Sequence, residues 1–129
     1  MRVLQETKCG LVGLALAMVI ALPSVPVRAD PIVADGLTRL AGTLGAVHYL
    51  RTLCQPGTGQ QWRDKMLEML STGDLNQKRK DKLISAFNTG YSRQQTAHSA
   101  CTQAAATLGN TYAQQGAADA RAIARRLGR

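Results

Sequence analysis

Apolar residues in the body of the chain recur at helical spacing. Leu37, Leu40, Leu44, Val47, Leu50 and Cys54 step by three and four, which is one face of a helix. Asp30-Pro31 or Asp35 serves as its N-terminal signal, and Gln55-Pro56-Gly57-Thr58-Gly59 ends it. Gly42 and Gly45, with Ala41 and Ala46, form a smooth flank where another helix, or a partner, could come close. Thr58 with Gln61 reads as a capping box opening a short second helix. That helix puts Trp62, Met66, Met69 and Leu70 on one face and stops at Ser71-Thr72-Gly73. Asp74 is expected to cap a third helix, with inner positions Leu75, Leu83, Ala86, Phe87, Tyr91, His98 and Cys101. Asn88-Thr89-Gly90 is where it would kink or divide. Thr102 is the expected N-cap of a fourth, whose stripe is Ala105, Leu108, Tyr112, Gly116, Ala120, Ile123 and Leu127. Alternating β-branched runs are absent.

Four helices joined by short turns predict an all-α fold, a four-helix up-down-up-down bundle. In that topology the far ends of the first and third helices share a pole, and those ends carry Cys54 and Cys101. A disulfide between them is therefore the expected staple.

The first residues have a different pattern. Arg2 and Lys8 precede an apolar run of 14 residues from Cys9 to Leu22, followed by Pro23, Pro26 and the small-x-small stretch Val27-Arg28-Ala29. This is the layout of a cleaved signal peptide over residues 1–29, leaving 30–129 as a single helical domain. The run is shorter than the roughly 20 residues needed to span a bilayer. Cleavage removes Cys9, so two cysteines remain in an oxidising compartment, the periplasm, which favours a disulfide over a metal site.

Charge sharpens the picture. Of 16 basic and 8 acidic residues, 13 and 7 remain after cleavage, a net of +6. For an exported protein this suggests anionic partners: lipid head groups, met at most peripherally, or acidic envelope polymers. Lys78, Arg79, Lys80 and Lys82 crowd the first turns of the third helix against its dipole, the best local sign of an anionic contact. Nucleic acid is not an expected partner, because no basic stripe is interleaved with aromatics.

Gly45-Ala46-Val47-His48-Tyr49-Leu50-Arg51 with Leu53-Cys54, then Trp62-Arg63, Phe87-Asn88 with Gly90-Tyr91, and Cys101-Thr102 together resemble a family of short exported alphaproteobacterial proteins of unknown function. The likeness covers roughly positions 35 to 128. It implies export and paired cysteines and carries over no catalytic residue. In the family a proline often follows the Cys-Thr pair; here Gln103 does, which marks the last helix start less firmly.

Candidate chemistry is sparse. His98 and Cys101 share a helix face and His48 comes from the facing helix, so a His/Cys metal site can be drawn. Zinc would need about four ligands and free thiolates, and neither a metal nor another cofactor is expected. Met66 and Met69 beside a tryptophan read as core filling, and no Cys-x-x-Cys-His haem attachment is present. Arg51 falls inside the first stripe, where it would bond helix-end carbonyls or, with Arg63 and His48, grip an anion. Tyr91, Asn88 and His98 would make a polar network facing it. The serines lack a nucleophile elbow and no two acids share a face, so an enzyme is not expected. The reading is a non-enzymatic exported binding or accessory protein of the cell envelope, whose partner is an envelope protein or an anionic polymer. His48, Arg51, Arg63, Tyr91 and His98 are its candidate contact residues. The rival is a small-ligand or metal-binding bundle with its site near His48, Arg51 and His98.

Overall fold

Asp30 starts the first helix: its carboxylate accepts the Ile32 N–H at 2.9 Å, and Pro31 occupies the first helical position. The computed structural model describes residues 30–72 and 75–128. The expected leader, the Gly73 stop and the Asp74 cap lie outside them. Four helices follow in order, α1 (Pro31–Cys54), α2 (Gln60–Ser71), α3 (Gln77–Ala97) and α4 (Gln103–Leu127), with no strand among the described residues.

The pairings fix their directions. Gly42 meets Ala86 and Gly90, Gly45 meets Phe87 and Tyr91, and Tyr49 reaches His98, so α1 and α3 run the same way. Gly36 meets Ile123, Thr43 meets Gly116 and Leu50 meets Gly109, so α4 runs against them. Helix α2 starts with Gly59 against Thr52, and its Met69 lies beside Leu37 and Leu40, so it too descends. This alternation is compatible with an up-down-up-down bundle. The neighbours differ from a square bundle, however: α1 packs on all three other helices, while α4 approaches only α1.

The reason is the Gly42–Gly45 flank. A Cβ at Gly45 would fall within 3.0 Å of the Phe87 carbonyl, and one at Gly90 within 3.0 Å of the Gly42 carbonyl. Glycines facing each other let two backbones touch where side chains would hold helices about 8–10 Å apart. The flank is thus filled by α3 and is not free for a partner. It also buries the middle of α1 all round: Thr43, Leu44, Gly45, Ala46 and Val47 are consecutive and all buried, where the sequence predicts a single stripe. Ala41, Leu44, Met66 and Leu83 form the centre of the core, with Leu37, Trp62, Met69 and Phe87 packed around it.

Several boundaries are corrected. The Thr58–Gln61 box does not form, because the Thr58 hydroxyl donates to the Gln55 carbonyl within the turn, at 2.9 Å. The N-cap of α2 is Gly59, with no side-chain bond. Asn76 caps α3 by accepting the Arg79 N–H at 2.9 Å, so Leu75 precedes the helix. Helix α3 continues unbroken through Gly90 and ends at Ala97, so His98 is its C-cap and Cys101 sits in the connection to α4. Thr102 does cap α4, accepting the Ala105 N–H at 3.1 Å, and Gln103 opens it without a proline. The α4 stripe is covered only in part: Leu127 is 70% exposed.

Two measurements check this account. Gly90→Ala should cost about 1–3 kcal/mol of unfolding free energy by forcing α1 and α3 apart. Gly42→Ala, whose added methyl would meet the Ala86 carbonyl at an ordinary 3.5 Å, should be neutral or better by up to about 1 kcal/mol through helix propensity. Equal losses in urea titrations of the two variants would contradict the crossing. Replacing Cys54 and Cys101 together with serine should remove about 4 kcal/mol, the loop-entropy value for a closure of 47 residues. A change in melting temperature of only a degree or two would show that the bond contributes little.

Candidate functional site

The stapled pole gathers most of the residues the sequence singles out. Cys54 and Cys101 are joined, with their Cα atoms 5.0 Å apart. One turn back along α1, Tyr49 donates its hydroxyl hydrogen to the His98 carbonyl, the group left over where α3 ends. The Tyr49 ring meets Tyr91 edge-on, centroids 5.2 Å apart. His48, its neighbour in sequence, lies against Phe87 at 5.9 Å and Tyr91 at 5.6 Å. Its Nδ1–H donates to the Gly59 carbonyl at 2.9 Å, which fixes the tautomer and ties α1 to the start of α2. The same carbonyl accepts the Trp62 N–H at 3.1 Å.

Arg51 points toward α4 and not to helix-end carbonyls. Its guanidinium donates to Asn110 Oδ1 at 2.8 Å and to Gln55 Oε1 at 3.0 Å. Arg63 is exposed on α2 and has no hydrogen bond or ion pair to this cluster among the described residues. Asn88 is exposed on α3 and stays outside the network. The pole therefore brings together His48, Tyr91 and the backbone of His98 and turns Arg51 aside. Three side chains of α1 tie it to the other helices: His48 to the start of α2, Tyr49 to the end of α3 and Arg51 to α4. The two sulfurs, bonded together, are not the thiolates a zinc site uses. Among the described residues no three of His, Cys, Asp and Glu stand close enough to hold an ion.

Two grooves open where the outer helices do not meet. Between α2 and α4 lies an apolar one of 460 Å³, floored by Leu37, Leu40 and Leu44 and walled by Trp62, Met69, Ile123 and Leu127. The indole N–H of Trp62 is buried beside it with no acceptor among the described residues. Between α3 and α4, over the Gly42 stretch of α1, lies a polar one of 420 Å³ lined by Thr38, Arg39, Thr43, Lys82, Arg93, Gln94 and Tyr112 among others. Arg39 spans its α4 side through an ion pair with Asp119, Nε to Oδ2 3.2 Å. Of these lining residues the sequence marks Lys82, through the basic run, and Tyr112, through the stripe of the fourth helix. Arg93 lies three turns beyond Lys82 on α3 itself, and Arg39 joins them through the α1–α3 crossing.

No helix among the described residues is long and apolar enough to cross a membrane. No curated protein and no solved structure matches the chain. A family model described as a protein of unknown function (DUF2385) matches residues 33–127, almost the whole of the helical domain. The match takes in α2, α3 and α4 whole and α1 from Val33 onward, and the chain belongs to the DUF2385 family of proteins of unknown function.

Proposed function

We propose that this chain is a non-catalytic binding or accessory protein that works outside the cytoplasm, in the periplasm of a bacterial envelope, after removal of residues 1–29. The Cys54–Cys101 disulfide carries the reading. Such a bond persists in oxidising compartments and is rare where glutathione keeps thiols reduced. It closes a domain with one tryptophan and one phenylalanine, whose core gains little from bulky side chains. The leader pattern before Asp30 supplies the route to that compartment. Binding is favoured over catalysis by what lines the grooves. The apolar one is lined mostly by hydrocarbon, its Thr72 hydroxyl bonded to the Glu68 backbone carbonyl, and the polar one offers cations, hydroxyls and an amide but no acid among its lining residues.

Expression of the full-length chain in a Gram-negative host, followed by fractionation and intact mass measurement without reductant, tests this. The expected product is periplasmic, begins at Asp30, and is two hydrogens lighter than the reduced 30–129 chain. A cytoplasmic product with both thiols open to alkylation would overturn the reading.

A further inference from the structure

The polar groove between α3 and α4 does not end at Lys82. Thr38 and Lys82 also line a second hollow of 310 Å³ along the same α1–α3 seam, which continues to Lys78 and Arg79. The two hollows form one trough carrying Arg39, Lys78, Arg79, Lys82 and Arg93, with no carboxylate among the described residues that line either part; past Ser85, Thr89 and Arg93 another hollow begins, and Asp81 stands on its wall. Of the acids around it, Asp119 pairs with Arg39, and Asp81 accepts from the neutral Gln77 side chain at 2.7 Å. The basic run that opposes the α3 dipole thus faces a concavity shared with cations from two helices.

The floor holds a second observation. Thr43 is 6% exposed and Gln94 5%, and both line the trough. The Gln94 amide reaches the Tyr112 hydroxyl at a long 3.4 Å, and its carbonyl oxygen has no hydrogen-bond partner among the described residues. The Thr43 hydroxyl has none there either, since its methyl, not its oxygen, packs on Gly116. Neither oxygen is shut off from solvent: the open side of both is the trough, where each is free to bond water or a ligand.

We infer that this trough binds an acidic, hydroxyl-rich oligosaccharide, its carboxylates held by Lys82 and Arg93, with Arg39 already paired to Asp119, and its hydroxyls by Thr43, Gln94 and Tyr112. Cations alternating with neutral donors and acceptors match a chain in which acid groups alternate with hydroxyls. A membrane surface fits less well. The trough is concave, and none of the exposed large apolar side chains, Ile32, Leu67, Ile84 and Leu127, lines it to insert among lipids. The inference deepens the envelope-binding reading, which decides only where the ligand would be met.

Calorimetric titration of the purified oxidised domain with tetragalacturonate at low salt is the test, with maltotetraose as the uncharged probe and phosphatidylglycerol vesicles as the lipid arm. One-to-one binding of tetragalacturonate, weakened about tenfold by the pair Lys82→Gln and Arg93→Gln, is expected. The charge-matched pair Arg121→Gln and Arg125→Gln, on exposed positions of α4, should bind as the parent does. Thr43→Val, which leaves the charge unaltered, should weaken binding severalfold. All replaced cations are exposed, and melting curves confirm that each variant is folded. Absence of saturable binding, equal losses in the two charge pairs, binding of maltotetraose as tight as that of the acid, or preference for the vesicles would each overturn the inference. Because the protein is purified, a negative result leaves export standing, and a cytoplasmic location would leave a positive one standing.

Discussion

Contact between the backbones of α1 and α3 is the constraint on which the rest depends. It is long-range: Tyr49 meets a residue 49 positions later, and the glycine crossing works at a similar offset. Closing so large a loop costs chain entropy before any packing is gained. The disulfide spans 47 positions, almost the same offset, and lies at the end of the same parallel pair. Once it forms, the unfolded chain already holds α1 and α3 close to register. Staple and glycine crossing are therefore two parts of one device: the first brings the helices together, and the second lets them touch.

Putting α1 at the centre has a cost for the outside of the molecule. A helix whose middle is buried on every side needs neighbours on every side, and three helices do not enclose it completely. The gaps between α2 and α4 and between α3 and α4 are what remains. They differ chemically because different faces of α1 show through. Leu37, Leu40 and Leu44 floor one, while Thr38, Gly42 and Thr43 floor the other. The surface chemistry of this protein thus follows from which face of one helix is left uncovered.

Much of this was legible in the residues, and the exceptions have physical causes. Asp30 and Thr102 could be read as caps because each stands immediately before its helix with no competing partner. Thr58 looked equivalent, yet a tight turn with Pro56 and Gly57, the latter at φ +95°, offered its hydroxyl a nearer acceptor. The pairing of Cys54 with Cys101 followed from helix count and direction, although α3 ends before Cys101. A periodic stripe could describe Leu44, Val47 and Leu50 but not the burial of Thr43, Gly45 and Ala46, which depends on neighbours no single-helix pattern contains. The polar trough was half legible. The run from Lys78 to Lys82 is local and visible, and Arg93 follows it three turns along α3, whereas Arg39 joins them only after folding.

Helix α2 has a thinner attachment than its neighbours. It is 12 residues long, lacks a side-chain cap at its start and buries a single residue, Met66. The staple ties the end of α1 to the connection between α3 and α4 and bypasses α2, which is held by packing and hydrogen bonds alone. Local opening takes the least anchored unit first. Trp62, the one tryptophan of the chain, rides on that unit. Its fluorescence consequently reports when α2 undocks, an event distinct from, and earlier than, the loss of the bundle as a whole.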